Sequence, residues 1–514
     1  MQPADAMPGR RAAAVRSTQV GAANGSYVDL RAMGARGDGV SDDTKALRLA
    51  ILAAVGDESP LRTGGTIVLP RGTYRITNMV GLYAIEGLRL VGEGVGATRI
   101  LWDGRTEDPA LFHLRDTRTT SFENLSIVNV SPEPLECAFW IESTGEAPDA
   151  ESNIFRSVRV DGREAGVRCG FRFTCNVDED VSNSWHRLDD VVVREYVDAA
   201  FSLEHLTVSG IEFYTCRFEG LGRGRSGVAT NRGSFAGSQN YGGSFRWFGG
   251  GGGGNRGADF ELGDVADTIL IQGGQFRGSA RFFHSAGPSG NQWPIVIESV
   301  VWLDDMLGEM ENAIWPAAEQ MRVMNFQFRG PLVVSGCNFG VPPDPVHGPQ
   351  IAKPAEIIWN PGNNFGQFVF QGNYFATSKT NPFTGFTAVG STIGIYPTIQ
   401  VGNIVETEDF GSNSTVEPMP VHITGLSGGP QPTVGWLHTN RRLFTTGGGA
   451  SIENLLHGRV GQEIVIFASG EREIRHTDSI RLQGGTSFSM KAGDNLTLIM
   501  VTEGVWTEVA RTVF

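Results

Sequence analysis

The sequence predicts an all-β fold, a right-handed parallel β-helix, in which each coil adds one strand to each of several stacked sheets. Two interleaved repeats predict this fold, together with an interruption that both repeats share. Recurrence at intervals of about 20–50 residues is the sequence signature of a solenoid. The alternative, a β-sandwich of short strands, does not explain why both repeats lengthen at the same place.

The first repeat is a six-residue segment in which apolar residues enclose a polar tetrad rich in Asn, Gly and Ser. Its last apolar residues are 33, 31, 27, 58, 26, 37 and 36 residues apart. The eight copies are FENLSI (122–127), FRSVRV (155–160), HRLDDV (186–191), FYTCRF (213–218), IQGGQF (271–276), IESVVW (297–302), VSGCNF (334–339) and FQGNYF (370–375).

The second repeat lies between copies of the first and alternates apolar and polar residues with the period of two expected of a strand. Its central phenylalanines are 27, 32, 30, 59 and 22 residues apart, and they are Phe112, Phe139, Phe171, Phe201, Phe260 and Phe282. Both repeats double their interval between about residues 218 and 260. One coil with two strands per turn explains this shared step, and the phenylalanines are expected to stack in its bore.

Length, charge and cysteine content limit the class of protein. A chain of 514 residues is too long for one compact core but suits a solenoid, which grows in one dimension. The net charge of −14 argues against nucleic acid or an anionic membrane as the partner. No apolar run reaches the roughly 18 residues of a membrane span.

The five cysteines divide into two groups. Cys216 and Cys337 occupy apolar positions of the repeat and are expected in the core. Cys169 and Cys175 are candidates for a disulfide or a metal site, although their spacing matches no metal-binding motif.

The N-terminal region has a pattern of its own. Residues 1–26 lack the apolar core of a signal peptide and are expected to form a flexible tail. GDGVSDDTKAL (37–47) and GGTIVLPRGTYRI (64–76) follow, and this opening resembles the pectate-lyase-like superfamily of parallel β-helix proteins, which includes phage tailspikes and bacterial polysaccharide-degrading enzymes. The resemblance implies that residues 27–87 cap the N-terminal end of the β-helix.

The capping segment is expected to contain one amphipathic helix, which begins after Asp42 or Asp43. Its apolar face is formed by Ala46, Leu49, Ala50 and Ala53. Asp38 and the two aspartates at the start of the helix are ascribed to capping and turn formation rather than to catalysis.

Coils are expected over residues 88–424, and the Gly/Ser/Pro-rich stretch 425–433 is typical of a linker. Residues 434–514 contain short strands split by Gly and Asp, which predict a β-sandwich-like C-terminal domain. The closing pattern W-x-E-x-x-R (506–511) resembles the C-terminal modules behind many β-helices of the superfamily. The resemblance implies a module that caps the β-helix and supports a homotrimer, with carbohydrate binding as an alternative role.

A β-helix displays alternate residues in outward rows about 4.8 Å apart, a geometry that suits a long polymer. The outward positions of the second repeat place Trp140 and Arg172 on neighbouring coils, with Glu142 and Glu204 just beyond them. An aromatic ring stacks on a sugar, a cation holds an acidic unit, and paired carboxylates supply acid–base or nucleophilic chemistry. The alternative interpretation is a set of cross-strand ion pairs that only aid solubility.

Hydrolysis of a bacterial surface polysaccharide, or of another acidic polysaccharide, by two carboxylates is the preferred function. The candidate acid/base and nucleophile are Glu204 and Glu261, with Glu142, Asp259 and Asp190 in reserve. Asp190 qualifies only if burial near another carboxylate raises its pKa. The residues expected to bind the glycan are Arg172, Trp140, His205, Tyr241, Trp247 and Arg232.

Residues 221–257, where both repeats double their interval, form either one irregular coil or a long Gly/Arg-rich loop. The segment has five arginines, no acidic residue, interleaved aromatic residues and six consecutive glycines from Gly249. Arginine and aromatic groups together suit acidic sugars, and a long loop on a compact scaffold is commonly functional. A flexible excursion or a subunit contact is the alternative.

Two further functions remain open. A lyase would use Arg172 or a loop arginine to neutralise a uronate carboxylate, and His205, Tyr241 or an arginine to remove the C5 proton. A non-catalytic glycan-binding spike or adhesin would need neither. The sequence has no EF-hand, HExxH or P-loop pattern, so it predicts no cofactor, although a calcium site of scattered carboxylates stays open. The resemblance implies an extracellular or virion-associated protein.

Overall fold

In the computed structural model, the described residues form a parallel β-helix followed by a smaller β unit, which confirms the predicted fold class. The described residues are 27–55, 62–105, 107–146, 149–175, 181–205, 207–230, 241–265, 268–285, 293–303, 322–325, 331–340, 356–359, 368–377, 398–401, 404–407, 441–446, 450–456, 460–468 and 470–513. The predicted N-terminal tail and the predicted linker 425–433 lie outside them.

Three walls of parallel strands form the β-helix, and each strand pairs with its counterpart in the next coil. The first wall contains Tyr27–Asp29, Thr66–Leu69, Arg89–Gly92, Ser121–Asn129, Ile154–Asp161, Arg187–Asp189, Ile211–Tyr214, Phe245–Phe248, Ile269–Gln272, Ile295–Glu298, Leu332–Ser335, Phe368–Gln371 and Thr398–Val401. The second wall contains Asp38–Asp42, Gly72–Ile76, Thr98–Trp102, the C-terminal parts of Ser121–Asn129 and Ile154–Asp161, then Val192–Arg194, Arg217–Glu219, Gly251–Gly253, Gln275–Arg277, Val301–Leu303, Asn338–Gly340, Tyr374–Thr377 and Ile404–Thr407.

The third wall corresponds to the second repeat of the sequence. Its strands are Val80–Tyr83, Phe112–Arg115, Leu135–Ser143, Val167–Cys175, Tyr196–Leu203, Ser226–Ala229, Ala258–Leu262, Arg281–Ser285, Arg322–Asn325 and Glu356–Trp359. Short parallel pairings add Arg62–Thr63 with Ile85–Glu86, Ala150–Glu151 with Asn183–Ser184 and Val208–Ser209, and Tyr241–Gly242 with Asp264–Val265.

One left-handed residue turns the chain from the first wall into the second wall. It is the third residue of the six-residue repeat, and its φ lies between 48° and 69° in nine successive coils. These residues are Asn124, Ser157, Asp190, Thr215, Gly249, Gly273, Ser299, Gly336 and Gly372. Left-handed backbone favours Gly and, among other residues, Asn and Asp. This corner explains why the tetrad of the repeat is polar and rich in glycine.

The backbone register shifts the third copy of the first repeat. Leu188 pairs with Phe155, and Val193 pairs with Val160, so this copy is LDDVVV (188–193). The predicted segment HRLDDV was therefore wrong by two residues. Position 186, a buried histidine, lies before the wall begins.

The doubled interval at residues 221–257 is mostly a regular coil rather than a long loop. A ninth copy of the repeat, WFGGGG (247–252), pairs with 213–218 in the preceding coil. Val228 takes the phenylalanine position of the third wall between Phe201 and Phe260. This copy is not recognisable from the sequence, because Gly252 occupies the position at which the other copies have a large apolar residue. Residues 231–240 lie outside the described part.

The glycine run in this coil lets neighbouring backbones approach. A Cβ atom on Gly251 would lie 2.0 Å from the carbonyl oxygen of Gln275, and one on Gly253 would lie 1.7 Å from that of Arg277. The side chain of Phe218 fills the space above Gly252. The Phe218 ring of the preceding coil therefore fills the volume that a side chain at Gly252 would occupy.

Aromatic stacks fill the bore, as predicted. The ring centroids of Phe112, Phe139, Phe171 and Phe201 follow one another at 5.4, 4.8 and 5.6 Å. A second stack on the first wall meets them edge-on, and Phe122 lies 5.0 Å from Phe139. In the strand after Phe260, the phenylalanine position is occupied by Phe283 and not by Phe282 as predicted. Both residues are buried.

The predicted helix spans Thr44–Ala54, after a 3-10 turn at Arg31–Met33. Its buried face shares the core of the coils and consists of Ala46, Leu47, Ala50, Ile51 and Ala54. Leu49 and Ala53, which were predicted for this face, are exposed. The N-cap residue is Asp43, but its carboxylate accepts the N–H groups of Arg36 and Gly37 instead of one in the helix, and Asp42, the residue before it, accepts the Thr44 N–H at 3.0 Å.

The C-terminal unit has a hydrophobic core separate from that of the coils. Its main sheet contains Arg441–Thr446, Glu463–Ala468, Asn495–Thr502, Val505–Thr512 and Ile480–Arg481, beside the pair Arg472–Ile474 and Phe488–Met490 and a 3-10 turn at Gln483–Gly485. The W-x-E-x-x-R pattern is structural. Trp506 is buried and donates to the Leu455 carbonyl at 3.0 Å, while Glu508 pairs with Arg511 and accepts the Gln483 N–H.

All five cysteines are free and buried. Cys216 and Cys337 lie in the core, as predicted. The suggested pairing of Cys169 with Cys175 is not formed, because Cys175 belongs to the core whereas Cys169 packs beside Cys137 and Trp140 in a separate cluster.

Candidate active site

One register row of the third wall consists mostly of polar and aromatic residues, and its middle members Ser202, Ala229 and Glu261 are buried. Each residue of the row directly follows the buried phenylalanine position of its strand. In register the row is His113, Trp140, Arg172, Ser202, Ala229, Glu261, His284 and Asn325. The predicted neighbourhood of Trp140 and Arg172 is confirmed. We call this row, with the side chains that contact it, the third-wall groove.

At the N-terminal end of the groove, a histidine is held by a carboxylate and an aromatic ring. The His113 imidazole stacks on Trp140 with centroids 4.2 Å apart and planes 11° apart. Its Nε2 lies 2.8 Å from a carboxylate oxygen of Glu142. Tyr83 meets the same imidazole edge-on at 5.6 Å. With Nε2–H donating to Glu142, the lone pair is on Nδ1, as in a carboxylate-oriented general base.

One coil further along, an arginine is anchored beside the same indole. Arg172 Nε and Nη2 both donate to one Glu204 oxygen, at 3.0 and 2.7 Å. Ser202 Oγ donates to the other oxygen at 2.8 Å, and the guanidinium lies 5.6 Å from the centre of the Trp140 ring. Burial lowers the pKa of Arg172, but the ion pair with Glu204 more than offsets this and raises it. The groove therefore keeps a fixed positive charge here.

A second cluster lies farther along the groove. Arg225 donates to both oxygens of Glu261, at 3.1 and 2.6 Å, and Ser226 Oγ donates to one of them. His284, the register partner of Glu261, lies with its Nδ1 2.7 Å from Nη1 of the buried Arg281. Burial, followed by the Arg281 cation, lowers the pKa of His284 to about 4.

The predicted carboxylate pair is not assembled into one site. Glu204 follows the strand Tyr196–Leu203, and Glu261 lies two strands away on Ala258–Leu262. Two rungs of about 4.8 Å separate their backbones by about 10 Å, whereas an acid/base and a nucleophile in a retaining glycosidase are about 5 Å apart. Each carboxylate is also bonded to its own arginine and serine.

Three predicted site residues occupy other parts of the fold. Asp259 and Trp247 are fully buried in the bore, so neither lines the groove. Asp259 accepts bonds from Asn255, Ser279 and Trp302 at 3.0, 2.6 and 3.1 Å. Asp190 is exposed at the left-handed corner, whereas the catalytic hypothesis requires it to be buried near another carboxylate.

The remaining predicted binding residues lie at the edge of the described structure. His205 lies just beyond the third wall, and its Nδ1 accepts the Thr207 N–H at 3.2 Å. Burial lowers the pKa of His205. Tyr241 begins a short strand whose side chains are outside the described part, and Arg232 lies wholly outside it.

Sequence reasoning assigned no role to His113. The signal was present, because His113 aligns with Trp140 and Arg172 once the phenylalanines are aligned. Its partner Glu142 was assigned only a reserve role. The paired histidine and carboxylate become visible only when the side chains are placed.

Comparison with known proteins agrees with the opening of the chain. Residues 27–131 match the family described as rhamnogalacturonase A/epimerase, pectate lyase-like. Mannuronan C5-epimerase AlgE2 of Azotobacter vinelandii is 41% identical over 86 residues, which cover 16% of this chain and 8% of the epimerase. The chain thus spans a small part of the curated relative that it matches.

Two solved structures match over much of this chain at low sequence identity. The A-module of mannuronan C-5 epimerase AlgE6 of Azotobacter vinelandii gives a TM-score of 0.48 at 15% identity, over 74% of this chain and 99% of the module. A tailspike of an Acinetobacter phage gives 0.43 at 12% identity, over 96% of this chain and 83% of the tailspike.

The described residues form neither a metal-binding cluster nor a membrane-spanning helix. Among them, no group of His, Cys, Asp and Glu side chains is arranged to hold a metal ion. Over the same ranges, no helix is long and apolar enough to cross a membrane.

Proposed function

We propose that the protein is an enzyme of acidic polysaccharides that removes the C5 proton of a uronate unit bound in the third-wall groove. The observation that carries the proposal is the His113–Glu142 pair stacked on Trp140, one coil from Arg172. A likeness to an enzyme named for reaction at C5 of mannuronan supports the same chemistry, although it covers only 16% of this chain.

The chemistry follows from the charges in the groove. A cation beside the uronate carboxylate withdraws charge from it and makes the adjacent C5–H more acidic, and Arg172 stands at that place. Nδ1 of His113 takes the proton, while Glu142 fixes the imidazole and stabilises its charged form. Trp140 lies between the imidazole of His113 and the guanidinium of Arg172, so its ring holds the base and the cation in place. The Tyr83 hydroxyl is a candidate donor of the proton that completes the reaction.

Two outcomes share this first step. Loss of the C4 substituent completes a β-elimination, in which the C4–O bond breaks and its electron pair leaves with the oxygen. Return of a proton to the opposite face of C5 completes an epimerisation. The two reactions share the removal of the C5 proton, and analysis of the products distinguishes elimination from epimerisation.

Hydrolysis, the function preferred from sequence, remains the second candidate on one observation. Glu142 and Glu204 lie in the same outward register on either side of Thr174, about 10 Å apart by the spacing of the strands. Inverting glycosidases hold their two carboxyl groups about 6.5–9.5 Å apart. In that case Glu204 must leave Arg172 to activate water.

The test follows three products from uronate-containing polysaccharides. Proton abstraction predicts an unsaturated product or exchange of the C5 proton with deuterated water, whereas hydrolysis predicts reducing ends alone. Binding with none of these signals would contradict both reactions and favour the non-catalytic adhesin.

One substitution separates the two candidate reactions. Glu204→Gln should abolish hydrolysis but reduce proton abstraction only about 10-fold, because the amide oxygen can still accept from Arg172 and Trp140 still lies beside the guanidinium. Arg194→Lys is a matched control, since Arg194 forms a similar ion pair with Glu219 at 2.7 Å on the second wall. Its activity should equal that of the unmodified protein.

An extracellular or virion-associated setting belongs to the same proposal, because surface polysaccharides are met there. The homotrimer that the resemblance implies also stays a proposal, as does the division into a cap, a β-helix and a C-terminal domain at the boundaries given above.

A further inference from the structure

An exposed tryptophan occupies a strained position in the corner that leads from the third wall to the first wall. In five successive coils this corner contains one residue with left-handed backbone, and φ lies between 47° and 76°. These residues are Gly87, Thr119, Ser152, Trp185 and Gly210. Left-handed backbone suits glycine and is costly for a bulky side chain. Trp185 is also 55% exposed, so neither backbone preference nor burial explains a tryptophan here.

One face of the Trp185 ring lies against Gly210 of the next coil. A Cβ atom added to Gly210 would lie 2.8 Å from Cε3 of the ring, and 3.1 and 3.2 Å from Cζ3 and Cδ2, the two atoms bonded to Cε3. These distances place the Cβ position directly above the ring plane and not at its edge. Gly210 is buried beneath the ring. Because one face is supported by Gly210, the exposed tryptophan presents its opposite face to solvent.

Hydrogen bonds fasten this corner to the strands of the third-wall groove. Two residues before Trp185, the side-chain amide of Asn183 donates to the carbonyls of Ile141 and Thr174 at 2.9 and 2.8 Å. Those carbonyls belong to the two groove strands that carry the proposed cation and the carboxylate partner of the proposed base. The ring is therefore held at a fixed place beside the groove.

Polar groups border the ring along the same corner. The register position directly before Trp185 contains Arg118, Glu151, Ser184 and Ser209 in successive coils. The Arg118 guanidinium pairs with the Glu151 carboxylate at 3.3 Å, and both side chains are partly exposed. A flat apolar face with charged and hydroxyl groups beside it matches a sugar ring, whose C–H groups stack on aromatic carbon while its hydroxyls form hydrogen bonds.

We propose that Trp185 is a carbohydrate-binding platform, on which a pyranose ring of the polysaccharide stacks outside the third-wall groove. The proposal rests on the proposed function for the class of ligand, an acidic polysaccharide. It adds a second contact with the same polymer, and such a contact raises the local concentration of polymer at the groove. The ring of Trp140 is enclosed by His113 and Arg172, whereas Trp185 keeps one face in solvent.

Other roles match this residue less well. A protein interface buries at least about 1,200 Å² in total, and Trp185 is one apolar ring in a polar corner. An anionic membrane is disfavoured by the net charge of −14. A cover for the backbone does not require an aromatic ring, because Thr119 and Ser152 occupy the same corner position with small side chains.

Affinity electrophoresis tests the platform without depending on turnover. The full-length chain is run in native gels that contain mannuronan or polygalacturonate. Trp185→Leu keeps an apolar cover on Gly210 but removes the flat face, so it should weaken retention by about 5–10-fold. Trp185→Phe keeps a ring and should retain most of the affinity.

Leu221→Ala is the matched control. Leu221 is also left-handed, with a φ of 49°, and 51% exposed, but it lies at the corner between the second and third walls. Its retention should equal that of the unmodified chain. In turnover assays Trp185→Leu should raise KM for the polymer and leave kcat unchanged, because the ring does not touch the reacting atoms.

The platform is overturned if Trp185→Leu is retained as strongly as the unmodified chain, or if neither polymer retains the unmodified chain. A lower Tm in Trp185→Leu with unchanged retention would show that the ring only covers Gly210. Weaker retention of Trp185→Leu, in a protein that converts neither polymer, would support the platform and overturn the proposed reaction instead.

Discussion

At the scale of single residues, the proposed reaction depends most on the imidazole of His113. Its Nε2 lies against Glu142 and its ring stacks on Trp140, so Nδ1 is the proposed base. Removing a general base costs about 10²–10⁴-fold in rate. His113→Gln should therefore lower kcat on a uronate polymer by that factor while KM changes little.

Two variants complete this prediction. Glu142→Gln should lower kcat by a smaller factor, because the imidazole persists but loses its orientation and the charge that stabilises its protonated form. His476→Gln is the control, since His476 lies in the C-terminal unit and accepts the Leu482 N–H at 3.0 Å. If His113→Gln keeps the unmodified rate, the histidine is not the base.

Side-chain direction decided which site residues could be predicted from sequence. Alternation around a phenylalanine correctly placed Trp140 and Arg172 outward on adjacent coils. It failed for Trp247, because Phe245, Trp247 and Phe248 are all aromatic and give no parity, and only the neighbouring coils show which of them points inward. The bond between Glu204 and Arg172 was within reach of sequence, but the arginine partner of Glu261 was not, since it comes from an unrecognised coil.

Asp259 illustrates a different failure, because two successive residues of its strand, Asp259 and Phe260, are both buried. The residue before each phenylalanine position of the third wall is buried as well. In successive coils this residue is Leu111, Ala138, Gly170, Ala200, Gly227, Asp259 and Phe282. The small residues in this column are a sequence signal for an inward position, and strict alternation overlooks it. A carboxylate in such a column is a core residue with its own hydrogen-bond partners.

Burial of Asp259 predicts a pH dependence of stability. Burial raises the pKa of this carboxyl to about 7, against three hydrogen bonds that lower it. The folded protein therefore keeps the proton to a higher pH than the unfolded chain does. Stability from this group is fully present below about pH 4 and is lost as the pH rises to about 7, by at most about 4 kcal/mol.

The measurement is Tm as a function of pH between about 4 and 8. Asp259→Asn should flatten the curve relative to the unmodified protein, because the amide does not titrate. Asp190→Asn serves as the control and should keep the full slope, since Asp190 is exposed at a corner where Asn is also tolerated. Parallel curves for the unmodified protein and Asp259→Asn would show that this carboxyl does not carry the dependence.

At the scale of the structural element, the left-handed corner sets the composition of the first repeat. Thr215 is unusual there, because its φ of 50° is costly for a β-branched residue. Thr215→Gly should raise the free energy of unfolding by about 1 kcal/mol. Thr73→Gly, on the strand Gly72–Ile76 with extended backbone, should lower it by a similar amount. Denaturant unfolding checks both, and a loss of stability in Thr215→Gly would contradict the corner argument.

At the scale of the whole molecule, the repeat interval was sufficient to predict the solenoid. Regular spacing survives local irregularity, because every coil must add the same rise and bury the same faces. The missing copy at residues 247–252 shows the limit. Its glycines carry no apolar signal, and Phe218 from the coil before supplies the missing bulk, so the copy is recognisable only from its neighbours. The spacing of the coils along the chain was predictable from sequence, but the side chain that fills the core at Gly252 was not.

Two separate cores predict two unfolding transitions rather than one. Each core contains a buried tryptophan whose Nε1 donates a hydrogen bond: Trp302 to Asp259 at 3.1 Å in the β-helix, and Trp506 to Leu455 at 3.0 Å in the C-terminal unit. Replacing either with Phe removes that bond and part of the packing, at a cost of about 1–3 kcal/mol. Differential scanning calorimetry should show Trp506→Phe lowering one transition and Trp302→Phe lowering only the other. If both variants displace the same transition, the two cores unfold as one cooperative unit.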